Sequence, residues 1–155
     1  MIALIQRVSA ARVDIGGETV AAIGPGILAL VAVQRGDGPA EIERTCDRLL
    51  GYRMFADAEG RMNRSLAEVG GGLLLVPQFT LAADTRKGMR AGFSGAAAPG
   101  DGERGFDALV ERARQRHPAV ETGRFGTHME VHLVNDGPVT FWLETRAAGQ
   151  CQGLP

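Results

Sequence analysis

Apolar and polar residues alternate from Ile2 to Val8, with Ile2, Leu4 and Gln6 on one face and Ala3, Ile5 and Arg7 on the other. That is the period of a strand with one face buried. A second strand is predicted over Ala11 to Ile15. Gly16-Gly17 then supplies a hairpin turn, and Glu18 to Ile23 returns as the next strand. After a turn at Gly24-Pro25-Gly26, Ile27 to Val33 is an almost unbroken apolar run, as in a central strand buried on both faces. The period then changes. Pro39 opens a helix, where its missing N–H costs nothing, and Ile42, Cys46, Leu49 and Leu50 follow at helical spacing.

A short strand is expected at Arg53-Met54-Phe55 and a turn from Asp57 to Gly60. Leu73 to Leu81 reads as another buried strand. Ala82 to Gly100, rich in Gly, Ala and cations and without a period, reads as a long functional loop. Asp101 is the expected cap of a second helix with the stripe Phe106, Leu109, Val110 and Ala113, ended by His117-Pro118. Val131 to Val134 and Val139 to Leu143 are the closing strands, separated by Asn135-Asp136-Gly137-Pro138. About seven strands arriving in runs, with two main helices between them, favour an α+β domain with an antiparallel or mixed sheet over a doubly wound parallel one. Residues 1–146 are expected to form one domain and 147–155 a flexible tail.

Composition narrows the function. A chain of 155 residues with 45% hydrophobic residues builds one packed domain. A net charge of −1 excludes a protein that coats nucleic acid through a global positive field, so any such contact is local. Two cysteines, Cys46 on a helix and Cys151 in the tail, suggest no disulfide framework. Without a signal-peptide pattern or an apolar run of roughly 20 residues, a soluble cytoplasmic protein is expected, with no membrane partner.

The common catalytic signatures are missing. No P-loop or dinucleotide fingerprint is present, and Gly70-Gly71-Gly72 reads as a turn before a buried strand. His128, Glu130 and His132 would share one strand face as half of a metal site, but no HExxH or CxxC accompanies them, and no metal or other cofactor is expected. Cys46 reads as core. Gln78 and Thr80 stand out, because they interrupt an apolar run on one face. Buried, an amide and a hydroxyl need partners, so either neighbouring backbone satisfies them or they line a pocket. Asp84-Thr85-Arg86-Lys87-Gly88-Met89-Arg90 is either a solvated loop or one that meets phosphate.

Several segments in order carry a resemblance. They are Ile5-Gln6-Arg7-Val8, Ile23-Gly24-Pro25-Gly26, Met62-Asn63, Gln78-Phe79-Thr80-Leu81, Ala83-Asp84-Thr85-Arg86-Lys87-Gly88, Glu121-Thr122-Gly123-Arg124-Phe125-Gly126 and Asn135-Asp136-Gly137-Pro138-Val139-Thr140. At these spacings, from Met1 to about Glu144, the chain resembles the D-aminoacyl-tRNA deacylase family, first named for D-tyrosyl-tRNA.

The resemblance implies a homodimer with a β-barrel-like sheet and two active sites at the subunit interface. It implies a cis Gly137-Pro138 bond that reaches into the partner's site and excludes an L side chain, so that D-aminoacyl-tRNA and glycyl-tRNA are accepted. By the same resemblance Gln78, Phe79 and Thr80 are catalytic, Phe125 and Met129 lie near the terminal adenine, Arg7 braces the interface, and Arg86 and Lys87 touch acceptor-end phosphates. Neither Gln78 nor Thr80 is a useful base at neutral pH. The expected chemistry is therefore a backbone oxyanion site near Phe79-Thr80, with the tRNA 2′-hydroxyl moving the proton. Thr80 as a covalent nucleophile is the competing path. Two further rivals are a non-catalytic RNA-binding dimer of the same fold and a metal hydrolase using His128 and His132.

Two positions depart from the family. Pro77 stands where serine is usual, and a related subfamily of altered chiral behaviour carries proline there. Phe79 and the Asn-x-Gly-Pro-x-Thr pattern point back to the D-specific type. Ala91 replaces the usual proline after Arg90.

Overall fold

The computed structural model describes residues 1–146, and the tail expected at 147–155, with Cys151, lies outside the described residues. β1 (Ile2–Ile15) is one strand where two were expected. The sequence at Ser9-Ala10 carries no turn, and the strand changes partner there instead. Ile2 to Val8 pair antiparallel with β3 (Gly26–Ala32), and Ala11 to Ile15 with β2 (Glu18–Ile23). Gly16 and Gly17 have φ of 59° and 84°, the double positive φ that the tight β1–β2 turn requires.

β3 runs parallel to β6 (Gly72–Pro77), and β6 parallel to β7 (Val120–Thr122), a strand the sequence pattern did not reveal. β8 (Glu130–Glu144) returns antiparallel along almost the whole of β1. The order is β2-β1-β3-β6-β7, with β8 also on β1. The result is a mixed, nearly closed, barrel-like sheet.

The sheet buries both faces. Ile5, Ile27, Ala29, Leu73 and Leu75 pack on one side with residues of two long helices, α1 (Pro39–Gly51) and α3 (Pro99–Arg116). A short helix, α2 (Leu66–Val69), adds Leu66 to this core. Val8, Val13, Leu28, Leu74 and Val76 form the core of the other face. This explains the continuous apolar runs in β3 and β6, since successive side chains enter different cores. Cys46, Leu49, Leu109 and Ala113 are fully buried, as the helical stripes predict. Arg112 joins α3 to Glu43 of α1 through bonds of 2.6 and 2.8 Å, and Arg116 reaches Asp47 at 2.6 Å.

Several boundaries correct the expectations. Asp101 does not cap α3. Ala98 holds the cap position, Pro99 presets φ for the first turn, and Asp101 lies inside that turn. A third helix, α2, was not expected. Four residues are too few to show a period, but Ser65 and Glu68 close a capping box around its start, with bonds of 2.6, 2.8 and 3.3 Å. β4 (Phe55–Ala56) begins two residues later than predicted and pairs with β5 (Met62–Arg64).

β6 stops at Pro77, and Phe79–Ala82 form a 3-10 turn, so Leu73 to Leu81 is not one strand. Asn135 to Pro138 do not separate two strands either. The pairing passes from Val8 opposite Asn135 to Gln6 opposite Thr140, and the surplus residues of β8 bulge out of the ladder. Among the described residues, no helix is long and apolar enough to cross a membrane.

Candidate functional site

A cavity of about 550 Å³ opens where β6 ends, beside the first turn of α3 and the segment leading into β8. Gln78, Phe79, Phe125 and Met129 all line it, together with Val76, Phe106 and His128. Four of the residues singled out in the sequence thus converge, although they lie in two segments far apart in the chain.

The end of β6 is anchored by the Gln78 N–H, which donates to the Val31 carbonyl at 2.7 Å. The chain then tightens into the 3-10 turn, with Leu81 N–H donating to the Gln78 carbonyl at 3.2 Å and Ala83 N–H to that of Thr80 at 3.1 Å. The Gln78 side-chain amide donates to the Thr80 hydroxyl at 2.5 Å. Gln78 is half-buried, and Phe79 and Thr80 are exposed. The strand alternation assumed for Gln78 and Thr80 is therefore replaced by a turn that lets the two side chains bond each other.

Among the described residues, the N–H groups of Phe79 and Thr80 have no acceptor. They are the orphan donors at the start of a helical turn. Two adjacent backbone donors beside a cavity suit a developing oxyanion.

The opposite wall depends on glycines. Gly123 N–H donates to the Leu75 carbonyl at 2.9 Å. A Cβ there would stand 2.8 Å from the Met129 sulfur and 3.5 Å from Pro77 Cδ, so the bare backbone is what lets Met129 fold inward. The Met129 sulfur in turn accepts the Arg124 N–H at 3.3 Å. Gly102, on the first turn of α3, leaves room for Phe125, whose Cζ would be 3.3 Å from an added Cβ. Gly102 and His128 were not singled out as lining residues. His128 directly precedes Met129, which the resemblance placed near the adenine, and Gly102 lies one helical turn before Phe106, which the sequence pattern assigned only to the apolar stripe of the helix.

Gly137 and Pro138 are joined by a cis peptide bond and are exposed on the β8 bulge. They do not line this cavity in their own chain. Gly137 has φ of 141°, and a Cβ there would fall 2.6 Å from Val139 Cγ2, so only glycine fits. Asn135 clasps the bulge. Its Oδ1 accepts the Val139 N–H at 2.9 Å, and its Nδ2 donates to the Thr140 hydroxyl at 2.9 Å. Arg7 braces it from β1, with Nε donating to the Asp136 carbonyl at 3.1 Å, an ion pair to the Asp136 carboxylate at 3.2 Å, and Nη1 on the Met54 carbonyl at 2.8 Å.

In the exposed 83–97 loop, Arg86 grips Asp84 through bonds of 2.9 and 2.7 Å, and this pair holds the Asp84 carboxyl well below the usual carboxylate range. Lys87 is exposed.

The histidines do not sit as the sequence suggested. His128 precedes β8 and lines the cavity, while Glu130 and His132 lie on the strand beside Asp14 of β1, with His132 Nε2 at 3.1 Å from Asp14 and 3.9 Å from Glu130. Arg12 also contacts Asp14 at 3.1 Å, and a fixed positive charge on one ligand works against a cation there. His117 is buried, with its ring nitrogen 2.7 Å from the Gly71 carbonyl, a structural role. Cys46 is buried as expected, and desolvation raises its thiol pKa.

Known proteins resemble this chain along nearly its whole length. The D-aminoacyl-tRNA deacylase of Thioalkalivibrio sulfidiphilus is 67% identical over 144 residues, 93% of this chain and 97% of the relative. That of Paracidovorax citrulli is 59% identical over 155 residues, 100% of both. Among solved structures, a c-Myc DNA unwinding element binding protein superposes with a TM-score of 0.90 at 36% identity, covering 95% of this chain and 100% of that one. A probable eukaryotic D-amino acid tRNA deacylase, at 18% identity and a TM-score of 0.78, covers 92% of this chain and 97% of its own and shares the fold. The family model described as D-Tyr-tRNA(Tyr) deacylase matches residues 4–144, and with these relatives it establishes that the chain belongs to that family.

Proposed function

We propose that this protein hydrolyses the ester of D-aminoacyl-tRNA, releasing the amino acid and intact tRNA, and that it also clears mischarged glycyl-tRNA. The observation that carries the reading is the convergence of Gln78, Phe79, Phe125 and Met129 on one cavity beside the unpaired N–H groups of Phe79 and Thr80. The terminal adenosine enters this cavity, with its base against Phe125 and Met129. An aromatic face and a polarizable thioether suit an unstacked base.

Water attacks the ester carbonyl carbon, and the oxygen that becomes negative is met by the two backbone donors. Collapse of the intermediate breaks the bond to the ribose 3′-oxygen, and the neighbouring 2′-hydroxyl relays the proton to it. Gln78, the side chain hydrogen-bonded to the Thr80 hydroxyl, donates to it and is no base. This favours the non-covalent path over attack by Thr80.

Gly137 and Pro138 act on the cavity of a second copy. Their exposure on the bulge and their absence from their own chain's cavity lining support this, as do the half-exposed Val134 and Trp142 on the same strand. In that homodimer the backbone carbonyls of the pair meet the substrate's amino group and leave no room for an L side chain, which is discrimination by exclusion. Arg7 holds the bulge for this task. Arg86 and Lys87 contact acceptor-end phosphates, and the reaction belongs to the cytoplasm, where tRNA is used.

The test is incubation of the purified protein with D-Tyr-tRNA, L-Tyr-tRNA and Gly-tRNA, with a chelator present. Release from the D and glycyl species with the L species spared is the expected result. Equal loss of D and L would overturn the exclusion mechanism, and no release at all would overturn the deacylase reading.

A further inference from the structure

Phe79 is the most exposed of the large apolar residues that line the cavity. The residue is 56% exposed, it sits in a turn of four residues, and its N–H is one of the two donors beside the cavity without an acceptor among the described residues. A donor aimed at a transition state must nevertheless be held within a fraction of an ångström. The structure assigns that task to Phe93, a residue outside the cavity lining: its ring lies 5.1 Å from that of Phe79 at a tilt of 51°, and Phe93 is thereby a positioning residue for the deacylation. The inference rests on the deacylase reading of the cavity.

Phe93 is itself pinned on both sides. Just before it, Gly92 and Asp84 exchange two backbone hydrogen bonds of 2.7 and 3.0 Å, which close the intervening cationic loop. After it, the Phe93 carbonyl accepts the Ala96 N–H at 3.1 Å. Arg35 N–H then donates to the Gly95 carbonyl at 3.0 Å, and Ala97 N–H to the Val33 carbonyl at 3.1 Å. The segment from Phe93 to Ala97 is therefore an arm from the end of β3, and its tip is the ring on Phe79. The tilted geometry, with centroids near 5 Å, is one that aromatic pairs favour. Because Asp84 follows the 3-10 turn by two residues, the turn is held at its far end by the same closure and at its near end by the ring pair. Both rings remain partly exposed, with Phe93 at 41%, so the pair adds little to the buried core.

The test uses Phe93→Ala, Phe93→Tyr, Phe79→Ala and the double variant Phe79→Ala/Phe93→Ala in steady-state deacylation of D-Tyr-tRNA, alongside the wild type. Phe93→Ala is expected to lower kcat roughly three- to tenfold, the scale of one lost aromatic pair, while KM stays within about twofold. Phe93→Tyr should retain kcat, and in the Phe79→Ala background Phe93→Ala should have no further effect. With fluorine-labelled phenylalanine, the Phe79 resonance should move toward its averaged, exposed value in Phe93→Ala.

An unchanged kcat, an additive double variant, a KM effect alone or an unmoved Phe79 resonance would each overturn the proposal. A wild type that releases nothing overturns the deacylase reading and Phe93's role with it. An active wild type matched by Phe93→Ala overturns the proposal alone.

Discussion

Asn135 offers a quantitative test of how the β8 bulge is held. Its side chain makes two bonds of 2.9 Å inside the bulge, one accepted from the Val139 N–H and one donated to the Thr140 hydroxyl. Asn135→Ala removes both and leaves the half-buried Val139 N–H without its acceptor. At a net of about 0.5–1.5 kcal/mol per bond, the expected loss is roughly 1–3 kcal/mol. For a domain of this size that is a fall in Tm of about 3–9 °C.

Asn135→Asp is the control. Its carboxylate still accepts the Val139 N–H, and the Thr140 hydroxyl can rotate to donate to it, so most of the stability should be retained. Urea denaturation at one fixed protein concentration measures the difference, the concentration being held because self-association would contribute to stability. The urea m-value should not change. A stability for Asn135→Ala within about 0.3 kcal/mol of wild type would refute the clasp, since even one such bond is worth more. The same variant should lose discrimination between D-Tyr-tRNA and L-Tyr-tRNA, because the bulge carries Gly137 and Pro138.

Three further outcomes are expected. Gly123→Ala forces Met129 out of a 2.8 Å clash and so reshapes the adenosine wall; KM for D-Tyr-tRNA should rise severalfold with little change in Tm, and an unchanged KM would count against that wall as the base site. Cys46, buried and with its thiol pKa raised, should resist iodoacetamide in the native protein at mildly alkaline pH and react only on unfolding, as site-resolved mass spectrometry would show. The Asp84 carboxyl has its pKa depressed by the Arg86 hydrogen bonds, so that contribution is present above the ordinary carboxylate pKa and is lost only as pH falls through the lower folded value. The Arg86 amide resonance should therefore show no midpoint near the unperturbed value of about 3.9, and a midpoint there would refute the pairing.

How much was legible follows from the range of each signal. β3 and α1 were readable because their apolar residues repeat over several turns or pleats and Pro39 marks a helix start. The Gly16-Gly17 turn was readable because few other residues accept its dihedrals. β7 and α2 were missed for lack of length, although Ser65 and Glu68 at capping-box spacing were a usable cue for α2. The end of β6 was misjudged because Phe79 and Leu81 continue its apolar pattern, and only the turn in three dimensions shows that the ladder stops at Pro77.

By itself the sequence determined the class of fold, the two long helices, the buried character of Cys46 and, through its ordered motifs, the family. Those are properties of local period or of residue identity at fixed spacing, and they survive in one dimension. Tertiary structure decided which motif residues meet. Gln78 and Phe79 share a cavity with Phe125 and Met129 because β6 ends beside the segment that enters β8, whereas Gly137 and Pro138, close to Met129 in the chain, are carried onto an exposed bulge. His128 and His132, apparent partners in sequence, separate because only one of them lies on the strand. The physical reason is the same in each case: pairing register and bulges set where a side chain points, and both are fixed by hydrogen-bond partners far away in the chain.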